Sequence, residues 1–229
     1  GSPIIDLATK VRETVNTGDF FKFKPDGDIV RHVDRDTFIK ESIIDMGRND
    51  WKYSTSKVLT WTNKCSVTTN NLILQAIQGS PEFQIGDYAI CNNFISNNGQ
   101  SIKTDQLVKI TAMTPLHYVH GVEGYTYTLN NKYEFFMAKC LNKRMSRIKR
   151  ARGEGAIDII REIDTTWIDL RSVYAQTINK SQGSTYDKVF IDLTNVSKCN
   201  SGNQIARMMY VGVSRARSNV ILTGDLIRN

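Results

Sequence analysis

The sequence predicts an α/β fold, in which a parallel sheet with helices on both faces is interrupted by a small β-rich insert. Two observations lead to this prediction. Apolar strands alternate with helical spacing in residues 1–80 and again in residues 171–229. Short β-like runs separated by turn residues fill residues 81–140, and a basic helical connection follows in residues 141–170.

The predicted elements of residues 1–80 are three amphipathic helices and one buried strand. Each helix has apolar residues at helical spacing behind a proline or a residue that caps helix N-termini. The helices are Pro3–Val15, a second one that is capped by Asp34 or Asp36 and ends at Met46, and a third that follows Thr62-Asn63. The strand is Lys57–Trp61, which runs directly into the third helix.

The remaining strands are predicted from apolar runs bounded by turn residues. In the insert they are Tyr88–Ile90, Leu107–Ile110 and Tyr125–Leu129, with turns at Asn97-Asn98-Gly99 and Asn130-Asn131. In the last part they are Val173–Gln176, Val189–Asp192 and Val220–Thr223, which we expect to join the Lys57–Trp61 strand in one parallel sheet. Pro25-Asp26-Gly27 predicts a further turn, and the aromatic residues interpreted as core are Phe20, Phe21, Phe23, Trp61 and Trp167.

The composition narrows the classes of partner. The chain has 229 residues and a formal net charge of +7, with a pI of about 9.2. Nucleic acid is the commonest polyanionic partner of a basic domain, although a charge surplus that only keeps the protein in solution gives the same numbers. Four scattered cysteines without a CxxC pair indicate reduced thiols and a cytoplasmic protein, and no apolar run is long enough to span a membrane.

The segment Thr177–Ser184 follows a predicted strand, at the edge where open α/β sheets build ligand sites. Its hydroxyl groups, its amides and Lys180 are able to bind phosphate groups. Gly183 allows the backbone to come close to a ligand. An ordinary polar turn between a strand and a helix is the alternative interpretation of this segment.

The segment Met209–Arg217 places two arginines, one residue apart, beside a predicted strand. Arg215 projecting from the domain edge would act as an arginine finger, because a fixed guanidinium stabilises charge on a transferring phosphoryl group. Arg217 is the weaker candidate and would equally suit a structural ion pair. The alternative interpretation is that both arginines are surface charges.

In this order, the segments resemble superfamily 1 helicases of the phage Dda and RecD-like type. Thr177–Ser184 resembles motif V, Met209–Arg217 resembles motif VI, and Val58–Lys64 is similar to the motif IV region. The insert lies where those helicases carry an SH3-like 2B subdomain within the RecA-like 2A domain. The resemblance covers nearly the whole chain and implies the C-terminal motor portion of an ATP-dependent helicase that moves 5′ to 3′ on single-stranded DNA.

The resemblance also implies roles for individual residues. The residues implied to contact the DNA backbone are Thr62, Asn63, Lys64, Thr177, Asn179 and Lys180. Those implied to lie at the nucleotide are Gln182, Gly183, Arg215 and Arg217, with Arg215 as the catalytic residue. Relatives carry histidine at the position of Asn179, so the chain departs from the family at that DNA contact.

The sequence contains no GxxxxGK[ST] P-loop and no acidic magnesium motif. We therefore expect the intact enzyme to bind ATP with Mg²⁺ on a preceding N-terminal RecA-like domain, and the chain alone to be inactive. The other expected partners are single-stranded DNA, fork DNA and a replication or single-strand-binding protein, in the host cytoplasm if the gene is from a phage. No resident metal is expected, because His117 and His120 have no further ligands nearby in sequence.

Two rival functions remain open. A degenerate motor domain would act as a non-catalytic nucleic-acid-binding adaptor in which Arg215 is dispensable. A protein-interaction platform would use the β-rich insert, and deletion of residues 82–138 would then abolish partner binding. The basic run between Lys139 and Arg152 fits either a surface that follows DNA or a solvated helix face.

Overall fold

The computed structural model describes residues 2–18, 25, 27–97 and 99–226. The predicted core residues Phe20, Phe21 and Phe23 lie outside the described residues, as do Asp26 and Asn98 of the predicted turns. The chain divides into two compact units. The sheet unit comprises residues 1–81 and 173–229, and the insert unit comprises residues 82–172.

The helices follow one another along the chain as α1 (Pro3–Thr17), α2 (Arg35–Met46), α3 (Asn63–Gln78), α4 (Leu141–Gly153), α5 (Ile157–Thr166), α6 (Leu193–Ser197) and α7 (Gly202–Val213). The strands are β1 (Val30–Val33), β2 (Ser56–Thr60), β3 (Tyr88–Cys91), β4 (Ile95–Asn97), β5 (Gln100–Ile102), β6 (Leu107–Met113), β7 (His117–Val119), β8 (Val122–Leu129), β9 (Tyr133–Ala138), β10 (Leu170–Ser172), β11 (Ala175–Thr177), β12 (Tyr186–Asp192) and β13 (Ala216–Thr223).

The sheet unit is built on a five-stranded sheet in the order β1-β13-β12-β2-β11. Every pairing in it is parallel. The parallel sheet predicted from the sequence is confirmed, with one addition. The edge strand β1 was not included in the predicted sheet, because four residues with only Val30 and Val33 apolar give too short a pattern.

Helices cover both faces of this sheet, as predicted. On one face, α1 and α7 bury Leu7 and Met209 against Leu59 and Ile191. On the other face, α2 and α3 bury residues that include Phe38, whose ring meets the Phe190 ring edge-on at a centroid distance of 5.6 Å. Burial of apolar surface on both faces is the main stabilising contribution in such a layered fold.

Local capping explains where the helices on the α2/α3 face begin. The Asp34 carboxylate accepts a hydrogen bond from Thr37 N at 2.8 Å and caps α2. The Thr62 hydroxyl accepts one from Cys65 N at 3.2 Å and caps α3. Each bond satisfies one of the amide groups that a helix N-terminus leaves without an intrahelical partner.

The insert unit is antiparallel, with strand order β10-β3-β6-β8-β7 and with β9 paired to β8. The turn predicted at Asn130-Asn131 joins β8 to β9, and both residues have positive φ angles, which asparagine tolerates. Trp167 is 1% exposed and packs edge-on against Phe136 at 4.6 Å. The predicted β-rich insert and the predicted core position of Trp167 are therefore confirmed.

Among the described residues, no helix combines the length and the apolar character that crossing a membrane would need.

Candidate functional site

The carboxyl ends of β2 and β11 lie side by side in the sheet. Thr60 and Thr177 are register partners, and Ile178 N donates a hydrogen bond to Thr60 O at 2.8 Å. The two groups of residues predicted to contact DNA follow these two strands directly. Strand pairing therefore brings together segments that are more than a hundred residues apart in sequence, at the edge where α/β sheets bind ligands.

The first group lies at the N-terminus of α3. Thr62 is the N-cap, and Asn63 and Lys64 are exposed in the first turn. Thr60 Oγ1 and Ser66 Oγ are 2.6 Å apart, a buried hydrogen bond that fixes this turn to the end of β2. A helix N-terminus carries a partial positive charge, and Lys64 adds a full one, so this position attracts phosphate.

The second group lies in a short 3₁₀ helix, Asn179–Ser181, after β11. Thr177 is only 8% exposed, and its hydroxyl accepts a hydrogen bond from Lys180 N at 3.4 Å. Asn179 and Lys180 are exposed. Thr177 thus stabilises the turn from its buried side, and the side chains of Asn179 and Lys180 are exposed to solvent.

A buried polar network fixes the approach to α3 from the neighbouring strand. Asn195 is 6% exposed, and its Oδ1 accepts a hydrogen bond from Trp61 N at 2.7 Å. Asn195 N in turn donates to Asp192 Oδ1 at 3.2 Å, and Arg35 Nη1 donates to Asp192 Oδ2 at 2.8 Å. The network joins the ends of β12 and β2 just before the α3 N-cap. The sequence carries no signal for this network, because its members are far apart along the chain.

The crossing segment, which we define as residues 178–185, connects the carboxyl end of β11 to the amino end of β12. Because β2 lies between these strands in the sheet, the segment passes over β2. Ile178 is fully buried, and it is packed beside α7 where Gly212 has no side chain. A Cβ atom at Gly212 would lie 3.1 Å from Ile191 Cδ1 and 3.7 Å from Ile178 Cδ1. The crossing segment is thereby fitted tightly against α7.

Arg215 lies at the amino edge of the sheet, in the turn between α7 and β13. Its guanidinium donates to Val211 O at 3.2 Å, Ser184 O at 3.2 Å and Ser214 Oγ at 3.0 Å. The described residues supply no carboxylate ion pair to it. A half-buried guanidinium that is oriented by carbonyl groups keeps its full charge for an external anion.

The other predicted nucleotide residues lie at the same edge or on the segment that leads to it. Gln182 and Gly183 are exposed on the crossing segment, and the φ angle of +84° at Gly183 favours glycine. Arg217 is exposed and forms an ion pair with Asp187 at 3.2 Å. The residues predicted to contact DNA therefore lie at the carboxyl ends of the strands, and Arg215 lies at the amino ends. The crossing segment joins the two ends of the sheet.

Lys57 is a charged residue that sequence analysis treated only as part of a strand. It is 4% exposed, and its amine donates a hydrogen bond to Val173 O. The Nζ atom lies 5.3 Å from the centre of the Tyr186 ring. Burial lowers the pKa of Lys57 to about 7. A lysine inside an apolar strand is the one sequence signal that could have identified it.

Tyr186 connects Lys57 to the surroundings of Arg215. The Gln176 amide donates a hydrogen bond to the Tyr186 hydroxyl. Tyr186 N donates to Arg215 O at 2.8 Å. Burial raises the pKa of Tyr186, while hydrogen bonds from Ser184 and Gln176 and the charge of Arg215 oppose that rise. These contacts connect five residues, namely Lys57, Gln176, Ser184, Tyr186 and Arg215.

The basic run of the insert unit is neutralised only in part within that unit, because three carboxylates pair with its seven basic residues. Lys143 pairs with Glu123 at 2.7 Å, and Arg150 pairs with Glu154 at 2.7 Å. Lys139 pairs with Glu82 at 3.0 Å. The run keeps a net positive charge after these contacts, so both interpretations of it stay predictions.

The histidines of the insert unit were considered as metal ligands in the sequence. His120 Nε2 lies 2.9 Å from Glu162 Oε2. In the part of the chain that the structure describes, no group of three or more His, Cys, Asp or Glu residues is arranged to hold a metal ion.

Comparison with known proteins relates one part of the chain to helicases. Residues 172–223 match the family model of the UvrD-like helicase C-terminal domain, which is less than a quarter of the chain. The uncharacterized protein R530 of Acanthamoeba polyphaga mimivirus is 22% identical over 225 residues, covering 69% of this chain and 46% of that protein.

Several solved structures of Pif1 helicases are also similar. One, solved for DNA unwinding at forked dsDNA by two coordinating Pif1 helicases, has 15% identity and a TM-score of 0.45, covering 100% of this chain and 48% of that one. Pif1 from Candida albicans has 15% identity and a TM-score of 0.45, with 98% and 53% covered. Pif1 from Bacteroides in complex with ADP-AlF3 and ssDNA has 13% identity and a TM-score of 0.37, with 100% and 50% covered.

The chain spans about half the length of the relatives it matches. The family match covers the crossing segment and Arg215 together. The predicted relation to superfamily 1 helicases is therefore confirmed for residues 172–223, which are related to the C-terminal domain of that class of helicase.

Proposed function

We propose that this chain is the 2A and 2B portion of an ATP-dependent DNA helicase that moves 5′ to 3′ on single-stranded DNA and unwinds duplex DNA. The observation that carries the proposal is that the residues proposed to bind DNA and those proposed to bind the nucleotide lie at opposite ends of the strands of one sheet. A helicase that translocates has to couple its binding of DNA to the binding and hydrolysis of its nucleotide. The crossing segment, packed against α7, offers one rigid connection between the two edges.

We assign DNA binding to the carboxyl ends of β2 and β11. Asn63, Lys64, Asn179 and Lys180 would contact phosphate groups, because they are exposed at adjacent strand ends. Thr62 and Thr177 would orient them, since the hydroxyl group of each accepts a local backbone hydrogen bond. Contacts to phosphate carry no sequence information, so binding should be independent of sequence and strongly dependent on salt.

The nucleotide contacts are assigned to the amino edge. Arg215 would act as the arginine finger and stabilise charge on the γ-phosphate during transfer. Gln182 and Gly183 would lie next to the nucleotide. The pairing of Arg217 with Asp187 favours a structural role for that arginine.

The remaining assignments follow from the resemblance to Dda- and RecD-like helicases. Residues 1–80 and 171–229 would form the 2A domain, residues 81–140 an SH3-like 2B domain, and residues 141–170 the basic connection. ATP and Mg²⁺ would be held mainly by a preceding RecA-like domain. Fork DNA and a replication or single-strand-binding protein would be partners in the cytoplasm, including that of a host cell if the gene is from a phage.

The test is Arg215→Ala in a protein extended upstream through its natural reading frame. Arginine fingers contribute about a thousandfold or more to the rate of phosphoryl transfer, so ATP turnover should fall by that order while binding of single-stranded DNA persists. Arg217→Ala is the matched control and should retain most of the turnover. Near-normal turnover by Arg215→Ala would reject the assignment.

A second candidate function is a non-catalytic nucleic-acid-binding adaptor derived from a helicase domain. The hydrogen bonds of Arg215 to Val211 O, Ser184 O and Ser214 Oγ favour it, since they would suit a purely structural arginine. An adaptor would bind single-stranded DNA, and no version of it would hydrolyse ATP.

A further inference from the structure

Lys57 occupies a position where lysine is energetically unfavourable. It lies in β2 between two neighbouring strands, and its register partner on β12 is Val189. Moving an ammonium group out of water costs several kcal/mol unless other groups compensate for the loss of hydration. A methionine of similar length would fill the same space without that cost. A lysine at this position therefore suggests a role beyond packing.

The groups around the amine are specific. It donates to the carbonyl of Val173, the first residue of the sheet unit after the insert, and it faces the ring of Tyr186. Within the described part of the chain, no carboxylate pairs with Lys57, and burial alone accounts for its altered pKa. The titratable group that it contacts is Tyr186 on β12, and the charge of Arg215 acts in turn on Tyr186.

A short path of contacts leads from Lys57 to the guanidinium of Arg215. Lys57 lies over the Tyr186 ring, and Tyr186 N donates to Arg215 O at 2.8 Å. Arg215 Nη1 donates to the carbonyl of Ser184, two residues before that tyrosine. The backbone that carries the Tyr186 ring therefore supplies one partner for the carbonyl group of Arg215 and one for its guanidinium.

We propose that Lys57 is a positioning residue for Arg215, and that its protonated amine holds the Tyr186 ring and thereby fixes the arginine toward its phosphate. This inference rests on the proposed role of Arg215 and adds a residue that acts through Tyr186. A cation over an aromatic face is attracted to the ring, and a neutral amine loses that attraction. The proposal therefore assigns the active form of the enzyme to protonated Lys57.

The pH dependence of turnover is the readout that a merely structural lysine would not change. With a pKa of about 7, Lys57 is half protonated near neutral pH. Turnover should therefore contain a step that declines as pH rises through about 7, and this step should be absent from a variant without the amine. Lys57→Met is the variant of choice because methionine keeps the length of the side chain and its apolar part.

The experiment uses the upstream-extended protein with saturating single-stranded DNA and ATP. A misplaced catalytic group costs up to about a hundredfold, so Lys57→Met should lower kcat by about ten- to a hundredfold with little change in the KM for ATP. Lys109→Met is the matched control: it removes an exposed lysine that lies over another tyrosine ring, that of Tyr88 at 5.6 Å, and it should keep the wild-type pH profile. A wild-type kcat and pH profile in Lys57→Met would overturn the proposal.

A double-mutant cycle with Tyr186→Leu tests whether Lys57 acts through the ring, and it is scored only on variants whose circular dichroism and melting temperature show that they are folded. If Lys57 acts through the ring, Lys57→Met should add little to the loss already caused by Tyr186→Leu, and full additivity would contradict the inference. The outcome for Arg215→Ala is scored independently. Normal turnover in that variant rejects the proposed function, whereas a large loss there with an unaffected Lys57→Met rejects only the role of Lys57.

Discussion

The guanidinium of Arg215 donates a hydrogen bond to the carbonyl oxygen of Ser184 at 3.2 Å. This bond joins the turn after α7 to the crossing segment, whose other end begins beside Thr60 at the carboxyl edge. Movement of Arg215 on binding a phosphate would therefore act directly on the segment that carries Asn179 and Lys180. The proposed coupling between nucleotide and DNA depends on this short connection.

Binding of single-stranded DNA by the chain itself should reveal its phosphate contacts. Each phosphate neutralised in a single strand contributes about −0.7 to the slope of log K against log salt. Lys64→Gln and Lys180→Gln should therefore each reduce the magnitude of the slope by about 0.7, independently of base sequence. Lys10→Gln, an exposed lysine on α1, is the control. Equal slopes in all three variants would place the DNA elsewhere.

The stability of the chain should depend on pH through Lys57. Burial lowers the pKa of Lys57 from 10.5 to about 7 in the folded state. Between these pH values the unfolded chain therefore binds more protons than the folded one. The free energy of unfolding should therefore rise with pH across this window, by about 1.4 kcal/mol per unit relative to Lys57→Met. Denaturant titrations at pH 7, 8 and 9 measure the difference. Parallel pH dependence in both proteins would mean that the amine is solvated.

Asn70 should be essential for the edge strand β11. Its side chain accepts from Tyr174 N and Ala175 N and donates to Ala175 O, at distances of 2.7–3.1 Å. Asn70→Ala removes these three hydrogen bonds to the backbone at the start of β11, which should lower the free energy of unfolding by about 3 kcal/mol. Asn71→Ala, an exposed neighbour on α3, should change it by less than about 0.5 kcal/mol. Comparable losses in the two variants would argue against this role.

The fold was largely accessible from the sequence because its determinants are local. Asp34 and Thr62 precede apolar helical spacing, and each is the one of two predicted candidates that caps its helix, α2 and α3 respectively. No local pattern predicts β1, because only Val30 and Val33 of its four residues are apolar, and it is held in the sheet by pairing with β13 almost two hundred residues away. Local pattern predicts an element, but it does not predict which strands become neighbours.

The candidate site was predictable only in part, for the same reason. Motif spacing predicted chemical roles for Thr177–Ser184 and for Arg215, and the sheet order was needed to see that Thr177 and Arg215 lie at opposite ends of the strands. The sequence gives no indication that Thr177 is buried while Asn179 is exposed. Lys57 was missed because lysine is rarely buried, so its position in a strand was not read as a functional signal.

The central claim is tested most directly by DNA-stimulated ATP turnover, measured on this chain and on a version extended upstream through the natural reading frame. The account predicts that both proteins bind single-stranded DNA, that only the extended protein hydrolyses ATP, and that Arg215→Ala abolishes this hydrolysis. DNA binding by both proteins with ATP turnover by neither would contradict the motor assignment and establish the adaptor in its place.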